Sequence, residues 1–117
     1  MSSANTVHLD TELAMSQIGD AEAMHGMLGM LEDTLANDIV SISTLLAQGD
    51  VAGANRLLHP LKGFIPIFCS PALCEQVSAV EGLSKHGGCA EVSAAYDKLK
   101  PELELLLAEV AAFLRVG

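Results

Sequence analysis

Met24, Leu28, Leu31, Leu35, Ile39, Ile42 and Leu46 recur at steps of three and four residues. That spacing places about one apolar side chain per turn on a single face of an α-helix. A strand, whose side chains alternate every second residue, cannot reproduce it. Asp20 precedes the run as an N-cap and Gly49 follows it as a C′ residue, so the helix has about seven turns. So long an apolar stripe is buried only by other helices laid along it, and the rest of the chain has to supply them.

It does. Leu9 to Ile18 is a short amphipathic piece closed by Gly19. Asp50 caps a third helix with Val51, Ala54, Leu58, Leu61 and Ile65 on one face. Ser70-Pro71 reads as an N-cap with proline at the first helical position, opening a helix with Leu73, Val77 and Val80 inward and His86-Gly87-Gly88 at its end. The last helix runs from about Ala90 to Leu114, with a bend expected at Pro101. Aromatic residues are only 3% of the chain, so Leu, Ala, Met and Val must fill the interior, which suits helix packing. The expectation is an all-α protein, an antiparallel four-helix bundle with a short extra N-terminal helix, monomeric and single-domain over 9–117. Residues 1–8 read as a flexible N-terminal tail, and the Met1 start behind it as that of a free-standing chain.

The formal net charge is −9, which argues against broad contact with a nucleic-acid backbone or an anionic membrane surface. No apolar run approaches the roughly 18 residues of a membrane span. Cys69, Cys74 and Cys89 are odd in number and lack CxxC spacing, which fits reduced thiols in a cytosol. Neither they nor the four histidines show metal-ligand spacing.

One stretch stands apart, "HPLKGFIPIFC" from His59 to Cys69. His59 lies about 100° off the buried face, with Arg56 at i−3 and Lys62 at i+3 beside it. Between Val51 and Cys74 there are two basic side chains and no acidic one, while the remainder carries four basic and fifteen acidic residues. A local basic field around an exposed imidazole in an acidic protein points to an anion held there, as a phosphoryl group on that ring requires a cation. Gly63 costs roughly 1 kcal/mol against alanine in a helix. At i+4 from His59 it removes the Cβ that would crowd the ring. Pro60 removes a backbone N–H and predicts a bend near Arg56–His59, with the helix stopping around Ile65.

"HPLKG" resembles the H-x-L-K-G signature of histidine-containing phosphotransfer domains, the four-helix-bundle carriers of bacterial and plant phosphorelays. The likeness extends over nearly the whole chain. "HLDTELAMSQIGDAEAMHGMLGMLEDTL" is similar to the family's opening, with a Gly-Asp turn before the long helix. "LLAQGDVAGANRLLHPLKG" resembles its second Gly-Asp turn leading into the phosphorylated helix, and "ALCEQVSAVEGLSKHG" its following helix, with Glu81 where a Leu-Glu pair commonly falls. The chain departs from the pattern at Pro60, Phe64, Pro66, Ile67 and Cys69, where small, polar or amide-bearing residues are usual.

The resemblance implies that His59 accepts a phosphoryl group from the aspartate of one response-regulator receiver domain and passes it to another, the donor side including a hybrid sensor histidine kinase. Lys62 is then the charge partner of the phosphoryl group, Gly63 clears the docking face, and Arg56, Pro60 and Phe64 contact the partner. Such a carrier is not itself an enzyme with ATP-dependent kinase activity. It has no cofactor of its own, the divalent metal belonging to the receiver, and it works in the cytoplasm. The alternative is a docking module that binds the same partners without carrying phosphate, a reading that Pro60 and Pro66 favour. The other histidines read as bystanders: His8 in the tail, His25 on the surface, His86 near a helix end. Met15, Met24, Met27 and Met30 read as core filler and helix-packing surface.

Overall fold

In the computed structural model, which describes residues 6–116, five α-helices follow one another: α1 (Thr11–Ile18), α2 (Ala21–Ala47), α3 (Val51–Phe64), α4 (Pro71–His86) and α5 (Cys89–Val116). A 3-10 turn, Ile65–Ile67, continues α3. The caps are those the sequence marks. Asp10, Asp20 and Asp50 accept from the N–H groups of Leu13, Ala23 and Gly53, satisfying donors that a helix start leaves open. Gly19 and Gly49 take positive φ, 81° and 79°, where a side chain would strain the turn. Ser70 is extended as an N-cap should be but makes no side-chain cap bond, and Pro71 opens α4.

At about 1.5 Å per residue the 27 residues of α2 span roughly 40 Å, close to the 42 Å long axis of the molecule. α5 is of similar length and lies along it. α2 also packs on α3, α3 on α4, and α4 on α5, so the neighbours form a closed cycle. α3 and α4, with 14 and 16 residues, cover only about half of that length, and α1 and the 3-10 turn pack where they end. The apolar seam read from α2 is buried in full, and it meets Leu58, Leu61, Leu73, Val77, Leu99, Leu103 and Leu106. Burying each such leucine contributes roughly 1.5–3 kcal/mol. Tyr96, fully buried, donates its hydroxyl to the Ile39 carbonyl at 3.0 Å and so fixes α5 against α2. Met24 is in the core and Met15 and Met27 pack against it, but Met30 is largely exposed and fills nothing. α5 is helical through Pro101.

The expected tail needs correction. Residues 1–5 lie outside the described residues, but residues 6–8 are tied down. The N–H groups of Val7, His8 and Leu9 all donate to the Glu109 carboxylate on α5. His8 is 7% exposed and its Nε2 lies 2.7 Å from Glu102. Asp10 N–H donates to Phe68, Ser70 N–H donates to His8, and Leu9 pairs with Cys69 in an antiparallel bridge. A small polar segment carries no apolar period, so nothing local announced that a carboxylate one hundred residues away would collect its amides.

Glu109→Ala should therefore destabilise the fold by about 2 kcal/mol, since three amide donors lose a charged acceptor. The urea midpoint measures the loss, and hydrogen exchange at Val7 to Leu9 should accelerate first. An unchanged midpoint would mean the strap adds nothing to stability.

Candidate functional site

His59 follows the buried Leu58 on α3, and the 100° step of the helix carries its ring outward, leaving the side chain 64% exposed. Arg56 and Pro60 are exposed on the same helix, and Lys62 is half-buried. α3 runs without interruption through Pro60 and gives way to the 3-10 turn after Phe64. The stop near Ile65 matches the sequence reading, and the helix assignment is continuous over Arg56–His59. Gly63 lies in helical backbone without positive φ, and a Cβ built there would meet no atom within 4 Å. The half-buried Phe64 packs its ring edge-on against Phe68, with centroids 5.2 Å apart at 79°.

The site is not free of carboxylates, as the sequence between Val51 and Cys74 had suggested. α4 delivers one. Glu81 is 1% exposed, and its Oε2 lies 3.1 Å from His59 Nδ1. Lys62 Nζ donates to Oε1 at 3.3 Å, Asn55 Nδ2 to Oε2 at 3.2 Å, and Lys85 Nζ approaches Oε2 at 3.5 Å. Lys62 is thus paired with Glu81 while the ring is unmodified. Asn55 also donates to Ser84 Oγ at 2.8 Å, and Ser84 donates to the Glu81 carbonyl at 2.6 Å, so the network fastens α3 to α4 through backbone as well. Arg56 makes no ion pair among the described residues.

A lone carboxylate buried this deeply would cost several kcal/mol and would take up a proton instead. Burial does push the Glu81 carboxyl up. The hydrogen bonds from His59, Lys62 and Asn55 outweigh it and hold the group down, from its ordinary 4.5 to about 2. Glu81 is therefore an anion at neutral pH and can only accept. The hydrogen it accepts from His59 must sit on Nδ1, so the neutral ring has a bare Nε2. The carboxylate sets the tautomer.

Glu81 entered the sequence reading only as a point of likeness, and Asn55, Ser84 and Lys85 were missed. A signal existed. Leu73, Val77 and Val80 mark the inward face of α4, and Glu81 and Ser84 lie at the next turns of the same face. An acidic residue at an inward position demands a partner, and an α3 with Asn55, His59 and Lys62 on one side could provide it. The remaining histidines are not gathered here: His25 and His86 are exposed, and His8 is buried beside Glu102. All three cysteines are free, and burial, chiefly, pushes the Cys69 and Cys74 thiols up, which disfavours the thiolate form. No group of three metal-ligating side chains occurs among the described residues, and no helix there is long and apolar enough to cross a membrane.

Comparison with known proteins supplies no relative: no family model matches the chain, and neither does any curated protein or solved structure.

Glu81 binds its proton near 4.5 when unfolded and near 2 when folded, so acid favours the unfolded chain. The stabilisation is complete above about 4.5 and drains away as pH falls toward 2. Glu81→Gln should lose about 2 kcal/mol at neutral pH. Its urea midpoint should then fall less steeply than that of the wild type between these limits, the two curves converging near the lower one. Parallel curves would show that the carboxylate is not held as an anion.

Proposed function

We propose that the chain is a phosphorelay intermediate of the histidine-containing phosphotransfer kind, with α2 to α5 forming an antiparallel four-helix bundle. His59 takes a phosphoryl group from the aspartyl phosphate of a response-regulator receiver domain, such as that of a hybrid sensor histidine kinase, and passes it to a second receiver. The observation that carries this reading is the contact of His59 Nδ1 with the buried Glu81 carboxylate at 3.1 Å, on an imidazole otherwise open to solvent. The cycle of packed helices supports the bundle, and the "HPLKG" string supplies the register.

The chemistry runs through Nε2. Its lone pair attacks phosphorus while the bond from phosphorus to the receiver's aspartyl oxygen breaks, and the electron pair leaves with the carboxylate. The ring becomes an Nε2-phosphorylated imidazolium that keeps its proton on Nδ1, and Glu81 balances the positive charge. Attack by the second receiver's aspartate reverses the bond changes. Phosphoryl transfer of this kind needs positioning and charge neutralisation more than covalent help. The divalent metal is supplied by the receiver, so the carrier has neither a cofactor of its own nor kinase activity, and it works in the cytoplasm where such partners are. Lys62, one turn from His59, neutralises the phosphoryl oxygens. Arg56, Pro60 and Phe64 meet the partner. Arg56 also borders a cleft of about 460 Å³ between α2 and α3, lined by Val40, Thr44, Leu45 and Leu57, which offers a partner an apolar seat on the α2 side of the helix.

Incubation with a phosphorylated receiver domain should add one phosphoryl group, labile in acid and stable in base, as intact-mass measurement will show. His59→Gln should keep the fold and lose the label. Complex formation without any label would point to the docking module instead, and label on His25 or His86 would overturn the assignment. Gly63→Gln separates stability from function. In open helical space it should stabilise the fold by up to about 1 kcal/mol and still cut transfer from the receiver about tenfold, or 1.4 kcal/mol at the interface. A small phosphodonor should be hindered less. A destabilised fold with transfer intact would remove the open-face role of Gly63.

A further inference from the structure

The two oxygens of Glu81 are used unequally. Oε1 accepts from Lys62, whereas Oε2 is shared by His59, Asn55 and Lys85. The Lys85 ammonium therefore rests on the same oxygen atom as the ring that is to be modified, but it arrives from α4, one turn beyond Glu81. Its contact is the longest of the four, 3.5 Å, and its side chain is 45% exposed. A half-exposed ion pair of that length is weakly held. Lys62 is less exposed and its ammonium donates at hydrogen-bond distance.

A phosphoryl group on Nε2 carries nearly two negative charges and arrives close to a carboxylate that is already ionised. One ammonium compensates about half of that charge. The chain as a whole, at net −9, offers no general positive field, so a second cation has to be local. We propose that Lys85 is a second phosphoryl-binding residue: it rests on Glu81 while His59 is unmodified and transfers to the phosphoryl oxygens once Nε2 is phosphorylated. This rests on the reading of His59 as phosphoacceptor. The exchange breaks one ion pair and forms another, with no proton or covalent bond moved. Glu81 stays anchored by His59 and Asn55 while it happens.

The lifetime of the phosphorylated chain reports the exchange. Spontaneous loss of the group passes through a loose transition state, so a cation on the charge-dense phosphoryl oxygens stabilises the starting state more and slows the loss. The full chain is labelled with phosphoramidate, and decay of the label on His59 is followed by intact mass in mildly alkaline buffer. Lys85→Gln should shorten the lifetime roughly fivefold at low salt, the upper range for a half-exposed ion pair, and less at high salt. Lys98→Gln, the same loss of charge on α5, should leave it unchanged. Labelling of normal extent with an unchanged lifetime in Lys85→Gln would overturn the role of Lys85 alone, as would equal shortening by Lys98→Gln. No labelling of His59 by phosphoramidate or by a phosphorylated receiver would sink the phosphoacceptor reading, and this proposal with it.

Discussion

The buried carboxylate of Glu81 is the interaction on which the site depends. It is ionised, almost wholly out of water, and met by three hydrogen-bonding side chains from α3 and the Lys85 ammonium from α4. A buried ion pair is weak support for stability, because desolvation offsets much of the attraction, and an apolar pair of similar volume would often serve as well. What an apolar pair cannot do is fix the tautomer of an exposed histidine and hold two ammonium groups beside it. The arrangement therefore makes more sense as specification of a reactive ring than as a device for holding α3 to α4.

Its surroundings serve that end by being rigid beneath and open above. Leu58 and Leu61, on either side of His59 in sequence, are buried, so the ring projects from a helix that cannot turn without uncovering its core. Gly63 leaves open space on the outer face of the helix, one turn beyond His59. Pro60 withdraws the N–H that would have bonded the Arg56 carbonyl. Both residues are on the exposed side, where water can meet that carbonyl, so α3 continues through a position that would interrupt a buried helix. The edge-on pair of Phe64 and Phe68 then closes the helix into the 3-10 turn, against which the docked strap of residues 6–10 is laid.

The helices were legible because their signals are local: aspartates three residues ahead of the amides they cap, glycines at positive φ, and a seam of leucine and isoleucine at helical steps. His59, Arg56 and Lys62 were legible for the same reason, since two successive turns of α3 hold them all. Glu81, Asn55, Ser84 and Lys85 were not, because their meaning lies in the approach of two helices. A charge count along one segment found no acidic residue near His59, and the fold brought one from the next helix. The strap escaped for a similar reason. Its order comes from Glu109 and Glu102 on α5, and the polar residues of the segment carry no period of their own.

The central claim is that Glu81 places the ring proton on Nδ1 and leaves Nε2 to react. Long-range proton–nitrogen NMR of the histidine rings in the intact chain tests it most directly. In the neutral state His59 should show a protonated Nδ1 and a bare Nε2, and after phosphorylation the phosphorus should couple to Nε2. A proton found on the solvent-facing Nε2, or phosphorus coupled to Nδ1, would contradict the account.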